Sequence, residues 1–263
     1  MITTGVPQEM LPLEVQQVAG SQRLGEFVKV YKPSLVKTCI GAFVFLVGGV
    51  GFLAGGIIAT DLTVRIRVIL LVFGLGCLAL AIYMIFRVFQ AANQLVCLFQ
   101  QGIVIDKSHQ VQPFPWSQVA EVRQSITRTY SNGVYVGTTY IFTLRRADGY
   151  QVKLGNLTQG IAELGPAIAQ GITRELVPRA FQSIQAGQTL LFAPFSVNQQ
   201  GINNGREWLP WSQVQAINMK QGRVTVMRVG MSRTWGAAMI AKIPNCLVFL
   251  AVAEELRQRA GAK

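Results

Sequence analysis

The chain has 263 residues, 51% of them hydrophobic, and carries 24 Lys and Arg against 12 Asp and Glu for a net charge of +12. This length allows one or two small domains beside any membrane segment, and the scattered Cys39, Cys77, Cys97 and Cys246 give neither a disulfide framework nor zinc-ligand spacing. The basic excess suits an anionic surface, but no basic run is denser than Arg145-Arg146, which excludes a nucleic-acid binder.

Residues 1–20 mix Thr, Pro, Gln and Gly with isolated apolar residues and read as a mobile tail. From Leu24 to Pro33 aromatics and lysines alternate, as expected where Tyr and Phe sit at headgroup depth and Lys reaches for phosphate. Residues 1–37 are therefore expected to be a juxtamembrane segment. Lys29, Lys32 and Lys37 would touch the membrane surface.

No charged residue occurs from Thr38 to Thr60, nor from Val68 to Phe86. Helices of these lengths would span roughly 35 and 28 Å, against about 30 Å of hydrocarbon. Asp61 to Arg67 joins them, so residues 38–90 read as a transmembrane helical hairpin, and these runs are what makes the mean hydropathy positive. A soluble core seldom holds two such runs in succession, and a signal peptide would not start so late. Gly41, Gly48 and Gly55 recur every seven residues, with Gly51 between them, while Gly74, Cys77 and Ala81 share a face of the second run. Such small stripes let helices approach closely. Packing within the hairpin is one use, and a homodimer through Gly41, Gly48, Gly51 and Gly55 is the other. Arg23, Lys29, Lys32 and Lys37 precede the first run, whereas the connecting loop has Arg65 and Arg67 offset by Asp61. An integral plasma-membrane protein with both termini cytoplasmic is expected.

From Arg87 onward there are 18 Lys and Arg against 8 Asp and Glu, and the pattern turns to short alternating runs. Leu95–Phe99, Ile103–Ile105 and Val119–Thr129 read as strands, as does Tyr140–Arg145, turned by Asp148-Gly149 toward Val152 and Leu154. Ile161, Leu164, Ile168, Ile172 and Leu176 recur at helical spacing, with Asn156 or Thr158 as the candidate cap. The order then recurs. Gln100-Gln101-Gly102-Ile103 and Pro115-Trp116-Ser117-Gln118-Val119 match Gln199-Gln200-Gly201-Ile202 and Pro210-Trp211-Ser212-Gln213-Val214. Strand-like Arg223–Val229 and Trp235–Ile240 follow, and Pro244-Asn245 opens a last amphipathic helix, Asn245 standing where Asn156 stands in the first copy.

Units with G-I, then W-S-Q-V, then one helix resemble bacterial pleckstrin-homology-like (PH-like) domains. The whole layout, with LGEFVKVYKPS (Leu24 to Ser34) ahead of a two-span hairpin, resembles an uncharacterised family of bacterial membrane proteins over residues 24–258. The resemblance implies a curved antiparallel sheet capped by a C-terminal helix. It also implies a role in binding, with no catalytic residue to carry over. The expected fold is an α-helical transmembrane hairpin plus two α+β PH-like units in tandem duplication, at 91–180 and 181–263.

Trp116 and Trp211 could stack on a ligand, but the apolar residues that follow each at +3 and +6 make them core anchors, with Gly102 and Gly201 as repeat anchors. His109, the only histidine, has no partner at a telling distance and reads as a loop residue. Gly133, Gly137 and Gly149 read as turn glycines, and Tyr130 to Tyr135 as an exposed hairpin tip. No acid, base, nucleophile or metal set emerges, so no catalytic, cofactor-binding or metal residue is expected. The reading is a membrane-anchored, non-catalytic binding or scaffold protein presenting basic PH-like domains at the cytoplasmic membrane surface. A membrane-bound enzyme of unrecognised type and a transport-accessory subunit are the alternatives, the latter weakened by spans without ionisable residues. Its partners would be the lipid bilayer and an unidentified protein. Lys29, Lys32, Lys37, Arg87, Arg145 and Arg146 are the expected membrane-surface contacts.

Overall fold

A computed structural model describes residues 11–59, 61–92, 94–107, 110–231 and 233–261. The uncharged runs form two antiparallel helices, α2 (Val36–Ile58) and α3 (Val64–Ala92). Within them Thr38–Ile58 and Val64–Phe89 are long and apolar enough to cross a membrane. Large side chains such as Phe43, Val47, Val72 and Ile82 point outward and are exposed. A core helix of a soluble protein would bury that surface.

The seam of the hairpin uses glycines other than the expected stripe. A Cβ on Gly49 would fall 2.9 Å from Leu78, one on Gly74 2.8 Å from Leu53, and one on Gly56 3.0 Å from Leu71. Gly48, Gly51 and Gly55 have open space around them, and only Gly41 of the stripe looks toward α3, at Met84. Two rows with seven-residue spacing, Gly48/Gly55 and Gly49/Gly56, lie side by side, so spacing alone does not choose between them. Arg67 turns back to donate from Nε to Gly56 O (3.1 Å) and from Nη2 to Ile57 O (3.3 Å). It thereby serves the carbonyls left open at the end of α2.

The first sheet is a meander of β1 (Phe27–Tyr31), β2 (Gln94–Phe99), β3 (Gly102–Lys107) and β4 (Gln110–Pro115). Tyr31 pairs with Val96, Val30 with Cys97 and Lys29 with Leu98 before a bulge leads to Phe27 and Phe99. The hairpin is thus an insertion between two neighbouring strands, and the segment expected to be a separate juxtamembrane anchor is the edge strand of this sheet. Alternating aromatics and lysines fit a headgroup anchor and a half-buried strand equally well. Ahead of β1, helix α1 (Leu13–Ser21) takes the place of the later half of the expected tail, whose residues 1–10 lie outside the described residues. Leu11, Val15, Ala19 and Leu24 are buried against Cys97, Phe99 and Val104 on the outer face of the sheet. Strand β4 occupies most of what reads as a loop around His109, while His109 itself lies outside the described residues.

A 3-10 turn at Trp116–Gln118 leads into the second sheet, β5 (Val119–Ser131), β6 (Val134–Arg146) and β7 (Gln151–Gly155), followed by α4 (Ile161–Gln185). The same order then returns: β8 (Leu190–Phe192), β9 (Phe195–Val197), β10 (Gly201–Asn203) and β11 (Trp208–Pro210) as one sheet, and a 3-10 turn at Trp211–Gln213. The last sheet is β12 (Val214–Lys220), β13 (Arg223–Arg228) and β14 (Thr234–Met239), and α5 (Cys246–Gly261) ends the fold. Where β1 and β2 are separated by the whole hairpin, β8 and β9 are joined by Ala193-Pro194 alone.

Both halves share α4. Its Leu164, Ile168 and Ile172 belong to the first core, its Ala180 and Ile184 to the second, and Leu176 touches both. Asn245 locks the halves further: its backbone N–H donates to Val122 O (2.9 Å), its Oδ1 accepts from Val122 N–H (2.8 Å), and its Nδ2 donates to Ala120 O (2.9 Å). Asn156 bonds in the same two-pronged way, but to its own half, accepting from Tyr140 N–H (2.8 Å) and donating to Thr138 O (3.0 Å). Neither Asn156 nor Thr158 caps α4, whose N-cap is Gly160 at φ 75.

These contacts predict which shortened chains fold. Joining Ser34 to Gln94 through about four Gly/Ser residues, a reach of about 14 Å, keeps β1 and α1 and should give a soluble, folded protein. A chain beginning at Ala91 loses both. It uncovers the outer face and forfeits burial of Leu11, Val15 and Leu24, at about 1.5–3 kcal/mol each. Circular dichroism melts should show a cooperative transition for the first chain and a lower or absent one for the second.

Candidate membrane-facing surface

The end of the molecule at which the chain leaves for the hairpin is built by three segments. The chain just before α2 is clamped to the loop between β7 and α4: Ser34 N–H donates to Leu157 O (2.6 Å), Gln159 N–H donates to Lys32 O (2.8 Å), and Pro33 bridges Thr158. At the first turn of α4, Glu163 Oε2 lies 2.7 Å from Lys29 Nζ, which also sits 5.5 Å from the centre of the Tyr31 ring. The bond that Lys29 donates to the Glu163 carboxylate raises the pKa of Lys29, and burial raises that of the Tyr31 phenol. Lys107 stands at this end too, paired across the strands with Gln94 and Gln110.

From here α4 runs away from the hairpin. Gly160 lies under the Tyr31 ring, Gly171 against the Trp116 indole, and Arg179 Nη1 donates to Ser117 O (3.1 Å) at the far end of the first sheets. The second half therefore sits on the side remote from α2 and α3.

The expected basic contacts do not gather at one end. Lys29 is ion-paired, and Lys32 is exposed with no ion pair among the described residues. Lys37 lies in the first turn of α2, with its side chain outside the description, and Arg87 Nη1 donates to Tyr83 Oη (3.4 Å) near the end of α3. Arg145 and Arg146 stand at the opposite end of β6, across from Glu121 and Val119. Arg145 and Arg123 both pair with Glu121. Arg146 pairs with Asp148 (2.6 Å), donates to Pro113 O (2.8 Å) and lies over the rings of Phe114 and Tyr150. Its bond to Asp148, with that of the Tyr150 N–H, holds the Asp148 carboxyl below the ordinary carboxylate range. The alternation of the strand turns Arg145 to solvent and puts Arg146 on the side of Phe142 and Leu144, where it is half-buried.

The tryptophans are anchors. Trp116 and Trp211 are each 3% exposed. Trp116 Nε1 donates to Gln100 O (3.1 Å) and Trp211 Nε1 to Asn198 O (2.9 Å), while their backbone N–H groups donate to Gln101 O and Gln200 O. Gly102 pairs with Pro115 and Gly201 with Pro210. A Cβ on Gly102 would lie 2.6 Å from Phe114 O, and one on Gly201 closer still to Leu209 O. The shared words are thus one packing device used twice. Beside Trp211 an open groove of about 490 Å³ runs between the ends of α4 and α5. Its cation, Arg259, is occupied by Glu255 and the Phe181 ring.

Burial pushes the Cys97 thiol up to about 12 and the Cys246 thiol up to about 11, so neither is a nucleophile at neutral pH. Among the described residues no three His, Cys, Asp or Glu cluster as metal ligands would. Tyr130 to Tyr135 is the tip between β5 and β6, turned by Asn132 (φ 50) and Gly133 (φ 79).

Two helices able to cross a membrane, then antiparallel sheets and a C-terminal helix, define the class of this protein. The chain belongs to the DUF6585 family, a family of unknown function, which matches residues 7–261. No curated protein and no solved structure matches it.

Gly102→Ala and Gly201→Ala should each destabilise the fold by about 1–3 kcal/mol, because the added methyl meets backbone that cannot yield. Gly137→Ala, with nothing within 4 Å, should cost far less. Urea midpoints measured on the soluble hairpin-replaced chain would check both.

Proposed function

We propose that this protein is a membrane-anchored, non-catalytic binding or scaffold protein that presents two tandem PH-like units at the cytoplasmic face of the plasma membrane. The observation that carries the reading is the insertion of the apolar hairpin between β1 and β2. A linker would let a domain drift, whereas two paired strands hold the first unit against the bilayer. Four strands, a Trp-led turn, three strands and a helix, occurring twice with the same Gly–Pro pairing, support tandem duplication of a PH-like unit. Such sheets bind partners along their edges and loops.

The orientation rests on the basic flank before α2. Arg23, Lys29, Lys32 and Lys37 there outnumber Arg65 and Arg67 of the connecting loop. Gly48, Gly51 and Gly55, left open by the hairpin seam, would serve a homodimer. The positive charge would face anionic headgroups. Six of the eight acidic residues beyond Arg87 are already ion-paired, so the excess is carried by cations such as Lys107, Arg128 and Lys153, which have no ion pair among the described residues.

The hairpin-replaced chain should accordingly bind anionic vesicles weakly, and binding should fall steeply with salt as the Debye length shrinks below about 8 Å. Vesicle sedimentation at low and high salt measures this. No binding at low salt would remove the headgroup reading and leave a protein partner as the ligand of the sheets.

A further inference from the structure

The second sheet carries an arm that its own packing does not use. Strands β5 and β6 have 13 residues each, against 7 and 6 for their counterparts β12 and β13. Strand β7 pairs with β6 only from Ile141 to Arg145, so residues 126–140 run on as a two-stranded ribbon. From Ile141 to the turn this is a reach of about 23 Å at about 3.3 Å per residue.

The direction of the arm is fixed by its neighbours. Strand β5 starts at Val119, directly after the Trp116 turn at the end remote from the hairpin. Strand β7 ends at Gly155, and the loop that follows is hydrogen-bonded to Lys32 and Ser34, just ahead of α2. Asn156 then ties that loop to Thr138 and Tyr140 at the base of the arm. The ribbon leaves the sheet at the end from which the two apolar helices depart, and it points past it.

Its composition fits a lipid interface. From Ser125 to Leu144 the only charged residue is Arg128. Ile126, Tyr130, Val134, Tyr135 and Val136 are 52–67% exposed. The rings of Tyr130 and Tyr135 meet edge to face at 5.8 Å, and Tyr135 Oη bonds Thr138 Oγ1 (2.8 Å). Tyrosine with an apolar body and a wet hydroxyl is the residue of the headgroup layer. Against edge pairing the ribbon has only Arg128 and the bulge at Thr129/Tyr130, and no lysine or acid. The other half supplies the contrast. Among the described residues it has no inserted helical pair and no arm, and its β12–β13 turn is flanked by Lys220 and Arg223.

We propose that the β5–β6 arm is a second membrane contact, with its Tyr130–Tyr135 tip seated in the headgroup layer of the bilayer that holds α2 and α3. This rests on the reading of α2–α3 as a membrane hairpin. The free N–H and C=O groups along both edges of the ribbon keep it out of the hydrocarbon, where nothing would satisfy them. Arg128, with no acid nearby in sequence, gives the contact an anionic preference. The helices fix the position of the first unit and the arm fixes its rotation about them.

The test uses the full chain with Cys39→Ala and Cys77→Ala, reconstituted in phosphatidylcholine–phosphatidylglycerol vesicles. A nitroxide is attached at Val134→Cys, or at Asp148→Cys in the turn at the other end of β6. Collision with oxygen, which concentrates in lipid, is compared with collision with a water-soluble nickel chelate. The oxygen-to-nickel ratio should be several-fold higher at position 134 than at 148, and it should fall toward the 148 value when phosphatidylglycerol is omitted. Equal ratios in protein that floats with the vesicles would overturn the arm contact while leaving the hairpin reading intact. Protein that fails to float would overturn both. Protection of position 134 in native membranes but not in protein-free vesicles would assign the arm to a protein partner and overturn the lipid contact.

Discussion

The pairing of β1 with β2 constrains everything else in this molecule. Antiparallel neighbours bring Tyr31 and Val96 to about 5 Å between Cα atoms, so the chain between them must return to where it left. An even number of helices meets that condition. The close seam of α2 and α3 at Gly49, Gly56 and Gly74 keeps the two ends together, so the inserted segment closes its own loop. Arg67, folding back on Gly56 and Ile57, finishes the turn at the opposite end.

Comparison of the two halves shows how local chemistry follows from what covers each surface. On the outer face of the first sheet Cys97, Phe99 and Val104 are buried under α1. Aligned on Gly102 and Gly201, the same positions in the third sheet are Ser196, Asn198 and Asn203, which have no covering helix and are partly exposed. The inner faces stay apolar in both, because each must pack on its helix and its tryptophan. Sharing α4 and the bonds of Asn245 then make one body of the two halves.

Some of this was legible in the sequence. Two uncharged runs give the helices outright, the Asp148-Gly149 turn gives β6 and β7, and the repeated Gln-Gln-Gly-Ile and Pro-Trp-Ser-Gln-Val words mark the same Gly–Pro pairing and Trp anchor in both halves. Other parts were not, for identifiable reasons. Strand β1 pairs across the whole hairpin, and no local pattern carries a partner that distant. Helix α1 is nine residues long and shows only Val15 and Ala19 to the core, with Leu11 just ahead of it, below what periodicity resolves. Strand β4 contains Pro113 and Pro115, which speak for a loop, yet both are tolerated there at the sheet edge. Arg145 reads correctly as a strand residue and β6 continues one residue further, so Arg145 and Arg146 both stand at the end away from Lys29 and Lys32.

Amide hydrogen exchange on the full chain in vesicles tests the insertion most directly. If β1 is a strand of the first sheet, the alternate amides of residues 27–31 that point at β2 exchange as slowly as the β2 amides that bond back to them, because both open only when the sheet does. Fast exchange at residues 27–31 beside protected β2 amides would contradict it, and would return that segment to a tether lying on the membrane surface.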